Sequence, residues 1–186
     1  MIPTRVEALA LLFKYNETDA LIKHAYAVEG VMRRFARNKG EDEEYWGIAG
    51  LLHDLDYEKY PDQHCTKSLE LMAEAGIDEQ LARSCASHGW GLCADIEPKT
   101  DMEKTLYTID ELTGLINAAA LMRPSRSVMD MDVKSLKKKF KSKSFAAGVN
   151  REVVEKGAEM LGMPLDDVMQ ETLLGMQEVA EAIGLA

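Results

Sequence analysis

An all-α bundle is the fold class this sequence predicts, and three observations predict it. Apolar residues recur at steps of three and four along most of the chain. No stretch alternates with the period of two that a half-buried strand requires. Every proline (Pro3, Pro61, Pro98, Pro124, Pro164) falls at the edge of a helical run rather than inside one. At 186 residues, 46% hydrophobic and 29% charged, the chain is long enough for one domain with a proper core, and its composition is not that of a disordered or membrane protein.

The elements follow in order. Residues 4–14 form a short apolar helix. Asn16 or Thr18 then caps a long amphipathic helix, DALIKHAYAVEGVMRRFARN, whose apolar positions Leu21, Ala25, Val28, Met32 and Phe35 share one face and which stops at Gly40. The next helix, EDEEYWGIAGLLHDL, begins acidic, as suits the positive end of a helix dipole, and turns fully apolar before His53 and Asp54. Asp56–Pro61 reads as a loop. A helix from Gln63 to Ala75 carries His64 in its first turn and ends at Gly76. Asp78 caps EQLARSCAS, which terminates at His88 and Gly89, and GWGLCADIEPKT is a glycine- and proline-punctuated loop. Asp101 opens the long helix MEKTLYTIDELTGLINAAALM, which stops before Pro124. Two shorter helices lie around VKSLKKKFK and REVVEKGAEMLG, and a last one runs from about Pro164 to Ile183.

Bulk properties exclude several functions. No apolar stretch reaches bilayer-spanning length, and the N-terminus lacks the architecture of a cleavable signal, so no membrane partner is expected. A net charge of −10 repels nucleic acid and anionic lipid. Cys65, Cys85 and Cys93 are odd in number and have no CxxC spacing, which argues against a disulfide framework and a zinc knuckle; a reducing cytoplasm is the natural home.

The chain has four histidines, His24, His53, His64 and His88, and with Asp54 and Asp110 they run in the order H…HD…H…H…D. His53–Asp54 ends an apolar helix, where a bare ionisable pair is costly to bury without a partner. Asp110 sits among Leu106, Ile109 and Leu112, and His24 lies beside a buried stripe. Singly, each has a bland reading: a half-buried helix residue, a solvated carboxylate, a first-turn surface residue, a histidine at a helix C-terminus. Jointly they point to one polar site between helices, of the kind in which bundle cores hold divalent cations with imidazole and carboxylate ligands.

These residues resemble the HD-domain metal-dependent phosphohydrolase superfamily. The resemblance covers about residues 18–125, with GLLHDLDYEKYPDQH and MEKTLYTIDELTGLINAAALMRPSRSV similar to a bacterial HD-domain subgroup. Residues from about 126 to 186 resemble the helical C-terminal extension of that subgroup, within a single domain over 1–186. The resemblance implies an all-helical fold in which His24, His53, Asp54 and Asp110 bind one divalent metal (Mn, Mg, Fe, Co, Ni or Zn). His64 and His88 resemble the additional histidines of dinuclear members, implying a second cation. The GYP signature of cyclic-dinucleotide phosphodiesterases is absent after His88, where the chain reads GWGLCADIEP, and the ED motif of alarmone hydrolases is not evident.

The chemistry so implied is hydrolysis of a small phosphorylated substrate, a nucleotide or another phosphate ester or anhydride, by metal-activated water. Asp54 would ligate metal and steer the nucleophile, and Asp56, Glu58 and His88 are candidates for the general acid. Arg123 and Arg126 follow the Asp110 helix and suit phosphate oxygens. Six lysines (Lys134, Lys137, Lys138, Lys139, Lys141, Lys143) crowd the segment KSLKKKFKSKSF. That run is either a solvated helix face or a funnel for an anionic substrate, with Lys138 at its centre; nucleic acid is the weakest reading because only Phe140 and Phe145 could stack bases. The apolar seam Leu165, Val168, Met169, Leu173, Met176, Val179 and Ile183 suits either the core or a second copy in a homodimer. The alternative to an enzyme is a sensor or scaffold module that keeps the fold and a structural metal without turnover.

Overall fold

The computed structural model describes all residues from Met1 to Ala186 and contains no strand. Ten α-helices follow one another: α1 (Arg5–Tyr15), α2 (Asp19–Lys39), α3 (Glu43–Leu52), α4 (Thr66–Glu74), α5 (Glu79–Ala86), α6 (Asp101–Leu121), α7 (Val133–Lys141), α8 (Arg151–Leu161), α9 (Leu165–Glu178) and α10 (Ala180–Ile183). Short 3₁₀ turns occupy Pro61–Gln63 and Ser87–Gly89.

The helix ends have local chemical causes. Capping boxes start α1 (Thr4 with Glu7) and α6 (Thr100 with Glu103), satisfying amide donors that a first turn leaves without partners. Asp42 and Asp78 cap α3 and α5 through their side chains. Gly40 closes α2 in the left-handed region, at φ 72°, where a Cβ would be strained. Thr18 occupies the N-cap position of α2, as one of the two expected capping residues, but its side chain makes no cap bond.

Two expectations need correction. His64 does not lie in a helical first turn: Pro61 starts a separate 3₁₀ turn, and Cys65 at φ 68° breaks the helical path before α4 begins at Thr66. The last helix is not continuous to Ile183 either. It breaks at Val179, whose side chain presses against Gly30 on α2, and a short α10 turns away.

The bundle is organised around α2 and α6. Helix α3 lies along α2, and Gly50 lets the backbones approach until an added Cβ would stand 2.9 Å from the Cα of Glu29. Glu29, buried at that crossing, accepts hydrogen bonds from Arg5 on α1 (2.6 and 2.9 Å) and from Arg33 (3.0 Å). Helices α8 and α9 cover the other faces of α6 and α2, with Gly175 of α9 against Val31. The C-terminal segment is tied back where Leu185 accepts the Val128 amide (2.9 Å) and the Ser127 hydroxyl (3.0 Å). Val168, Met169, Leu173, Met176 and Ile183 of the C-terminal seam are buried within the chain. No helix is long and apolar enough to cross a membrane.

Candidate metal centre

Because α3 lies along α2 with its C-terminal end toward the start of α2, His53 and Asp54 emerge beside His24, and α6 presents Asp110 from the third side. His24 Nε2 stands 2.9 Å from Asp110 Oδ1, 3.2 Å from His53 Nε2 and 3.5 Å from Asp54 Oδ2. His53 Nε2 is 3.3 Å from Asp110 Oδ1 and 3.4 Å from Asp54 Oδ2. Ligands about 2.1 Å from a common ion are separated by about 3.0 Å in an octahedron and about 3.4 Å in a tetrahedron. The donor atoms therefore have the spacing and the nitrogen–oxygen chemistry that a divalent cation requires.

A second set adjoins the first through Asp54. While Oδ2 of Asp54 faces His24 and His53, its Oδ1 stands 3.2 Å from His88 Nε2 and 3.4 Å from His64 Nε2, and those imidazole nitrogens are 3.2 Å apart. One carboxylate thus serves both sets, as a bridging ligand would.

In His53, His64 and His88 the other ring nitrogen is occupied, which fixes the tautomer. His53 Nδ1 donates to the Gly50 carbonyl at 2.8 Å and His88 Nδ1 to the Cys85 carbonyl at 2.6 Å. His64 Nδ1 donates to Asp56 Oδ1 at 2.8 Å, and the other Asp56 oxygen accepts the Ser68 amide at 2.8 Å. Each Nε2 lone pair is thereby left facing the centre, the usual support for a ligating histidine.

Charge is concentrated here. Burial opposes a charged ring at His53, yet Asp54 and Asp110 outweigh it and hold the imidazole well above its ordinary range. Burial likewise opposes ionisation of Asp54 and Asp110, but the histidines around them hold both carboxyls well below theirs. His88 is raised in the same way, with burial overcome by its bond to Asp54. The paired carboxylates demand compensating positive charge, which imidazolium protons or a cation would supply.

All of the donors but the wholly buried His53 line a cleft of about 370 Å³, together with Tyr57, Leu92, Cys93, Glu111 and Val149. Glu111 hangs over it with one oxygen accepting the Asn150 amide at 2.9 Å; burial, with Asp110 adding to it, raises its carboxyl. A second cavity of about 260 Å³ shares His24 and Gly114 with the cleft and is completed by Lys23, Asn117, Leu121, Met176, Ile183 and Leu185.

Of the residues expected from sequence, His24, His53, Asp54, His64, His88 and Asp110 come together. Asp56 lies behind His64 and is wholly buried, so it orients that ring and does not face the cleft. Glu58 is elsewhere: its carboxylate accepts the amides of Glu17 (2.8 Å) and Thr18 (3.1 Å) at the start of α2. Arg123 is paired with Asp130 at 2.8 Å, and neither it nor Arg126 lines the cleft. Lys138 lines a separate surface depression with Lys134, Lys137, Lys141 and Asp166, because α7 buries Leu136 and Phe140 and turns its lysines outward. Lys134, Lys138, Lys141 and Lys143 are exposed, and Lys137 pairs with Asp166 at 2.7 Å.

Glu111 and Tyr57 escaped the sequence reading although each adjoins a singled-out residue; local spacing gave no sign of which way their side chains point. Val149 and Cys93 come from connecting segments that carry no periodic signal. All three cysteines are free, but the thiols of Cys65 and Cys93, which sequence spacing did not pair, lie 2.8 Å apart beside His88, while Cys85 is buried separately. The proton shared between those sulfurs holds Cys65 up and lowers Cys93 to about 6.

Compared with known proteins, residues 21–135 match the family model described as the HD domain. No solved structure matches the chain.

Proposed function

The chain belongs to the HD domain family, whose members are generally metal-dependent hydrolases, and we propose that it hydrolyses a small phosphorylated substrate at a centre of one or two divalent cations. His24, His53, Asp54 and Asp110 would hold the first cation, and His64, His88 and Asp54 would hold the other. The observation that carries this reading is the division of the Asp54 oxygens between two histidine pairs. When bound, such cations neutralise phosphoryl charge and acidify water.

The chain's own groups do the rest. Asp56 and the carbonyls of Gly50 and Cys85 fix the imidazole orientations. Glu111 stands at the cleft with one carboxyl oxygen free of protein partners, positioned to pass a proton to a departing oxygen. Asp56 and Glu58 cannot fill that role from where they lie.

Substrate size and charge follow from the lining. No lysine or arginine lines the cleft, so the cations alone balance phosphoryl charge, which suits one phosphoryl group better than a polyphosphate tail. The adjoining cavity, about half apolar and with Lys23 paired to Asp19 at 2.7 Å beside Thr113 and Asn117, would receive the organic part of the substrate.

A panel of phosphomonoesters, nucleotides and cyclic dinucleotides, assayed with manganese, magnesium, iron, cobalt, nickel and zinc, tests this. Monoesters with a compact organic group are expected to turn over best, and Asp54→Ala is expected to abolish turnover with the fold kept. Metal-loaded protein inert toward the whole panel would favour the sensor or scaffold reading.

A further inference from the structure

Cys65 and Cys93 stand apart from the expected ligand set, and three features of their surroundings converge. Their sulfurs are 2.8 Å apart, inside ordinary non-bonded contact and well on the way to the bonded separation of about 2.05 Å. Both rest on Gly89, where an added Cβ would run into each sulfur, so the absence of a side chain there is what lets them meet. Cys65 holds its place with a backbone φ of 68°, in a region that non-glycine residues seldom occupy. On the other side, the amides of Leu92, Cys93 and Ala94 all donate to the Gly89 carbonyl (2.9, 2.9 and 3.0 Å), folding the loop over that glycine.

The pair is also asymmetric. Cys65 is fully buried, whereas Cys93 is exposed at the mouth of the cleft. An oxidant can reach one sulfur and not the other, the arrangement of an attacking thiol with a resolving partner.

We propose that Cys65 and Cys93 are a thiol–disulfide modification site that responds to low-molecular-weight disulfides at the rim of the metal centre. The Cys93 thiolate attacks one sulfur of a small disulfide RSSR, forming a mixed disulfide and releasing RS⁻. Cys65 then attacks the Cys93 sulfur and expels the second RS⁻, which takes up the Cys65 proton. The two protein thiols are oxidised to one disulfide, and RSSR is reduced to two RSH.

The consequence for the metal centre rests on the two-cation reading above. His64 adjoins Cys65 in sequence, and His88 lies 3.8 Å from the Cys65 sulfur and next to Gly89. Closing the sulfur–sulfur distance shifts both segments that carry the second donor set, so oxidation is expected to weaken the second cation about tenfold or more.

The test is kept independent of turnover. The full-length protein is incubated with oxidised glutathione, and its intact mass and proteolytic peptides are compared with those of the dithiothreitol-treated protein. The expected result is loss of two hydrogens, one cross-linked peptide joining Cys65 to Cys93, and a free thiol at Cys85, all reversed by dithiothreitol. Cys65→Ser is expected to stop at a glutathione adduct on Cys93, and Cys93→Ser to stay unmodified. Both thiols remaining free, or a cross-link through Cys85, overturns the proposal. So does a stoichiometric zinc ion that protects Cys65 and Cys93 and is lost in Cys93→Ser, since the sulfurs would then be ligands. A cross-link in a protein that binds only one manganese when reduced keeps the modification site and sinks the second-cation reading instead; a cross-link that leaves two bound manganese ions unaffected overturns the proposed coupling to the second cation.

Discussion

Gly50→Ala puts the link between helix packing and the metal centre under strain. The new Cβ would stand 2.9 Å from both Cα and N of Glu29 and 3.0 Å from the Val28 carbonyl carbon. All three are backbone atoms of α2, so no rotamer change relieves them. Comfortable carbon contacts begin at about 3.5 Å, so the helices must separate by about 0.5 Å. Overpacking of this kind costs about 1–3 kcal/mol. For a chain of this length that is a fall in Tm of about 2–12 °C. The same separation acts on the site, because His24 and His53, 3.2 Å apart, come from the two helices being pushed away from each other, and Gly50 itself accepts the His53 Nδ1 proton. Misplacement on this scale is expected to weaken the cation held by His24, His53, Asp54 and Asp110 by about tenfold or more. Thermal unfolding and manganese titration of Gly50→Ala would read both effects, with Gly148→Ala as control, since a Cβ there meets nothing within 4 Å. A Gly50→Ala protein with unaltered Tm and unaltered manganese affinity would refute the idea that this helix approach sets the ligand geometry.

Other variants separate the roles of the surrounding carboxylates and cations. Asp56→Asn, which leaves one acceptor oxygen for both the His64 Nδ1 and Ser68 amide donors, is expected to weaken the second cation about 10–100-fold and leave the first in place, read by manganese titration. Glu103 is wholly buried, and although burial opposes its ionisation, bonds from the Lys99 amide, Arg83, the Thr100 amide and Ser84 hold its carboxyl below the ordinary value of 4.5. Its stabilising contribution is therefore complete above that value and lost as pH falls through the lower folded-state value. Glu103→Gln should lower stability by about 2 kcal/mol at neutral pH, with the gap from the unaltered protein narrowing below about pH 4.5, followed by denaturant unfolding. Glu58→Ala and Lys138→Ala lie outside the cleft, so kcat and KM at saturating metal should be unchanged in both, with a lower Tm for Glu58→Ala alone because it strips acceptors from the start of α2.

Much of this could be read from the residues. The helix order, Gly40 as the stop of α2 and the convergence of His24, His53, Asp54 and Asp110 were legible because each is written locally, as a period, a cap or an ionisable residue in an apolar run. The position of the lysine run away from the cleft was not legible, although Leu136 and Phe140 at helical spacing marked the face that α7 buries. What sequence could not show depends on three-dimensional approach. Asp56 and Glu58 look alike beside the histidine–aspartate pair, yet one supports His64 and the other caps α2. The buried Glu29 and Glu103 networks join elements far apart in the chain, and the Cys65–Cys93 meeting needs Gly89 to vacate the space between them. Arg123 was expected near phosphate, but Asp130 in the turn that follows α6 claims it first.

Shared coordination is the point on which the functional reading stands. Metal bound per chain, measured on protein reconstituted with manganese and freed of excess, should be one to two equivalents. Where two are bound it should fall to one in His64→Ala or His88→Ala, and in either case it should essentially vanish in Asp54→Ala. Equal metal content in the unaltered protein and in Asp54→Ala would show that these side chains hold no common ion.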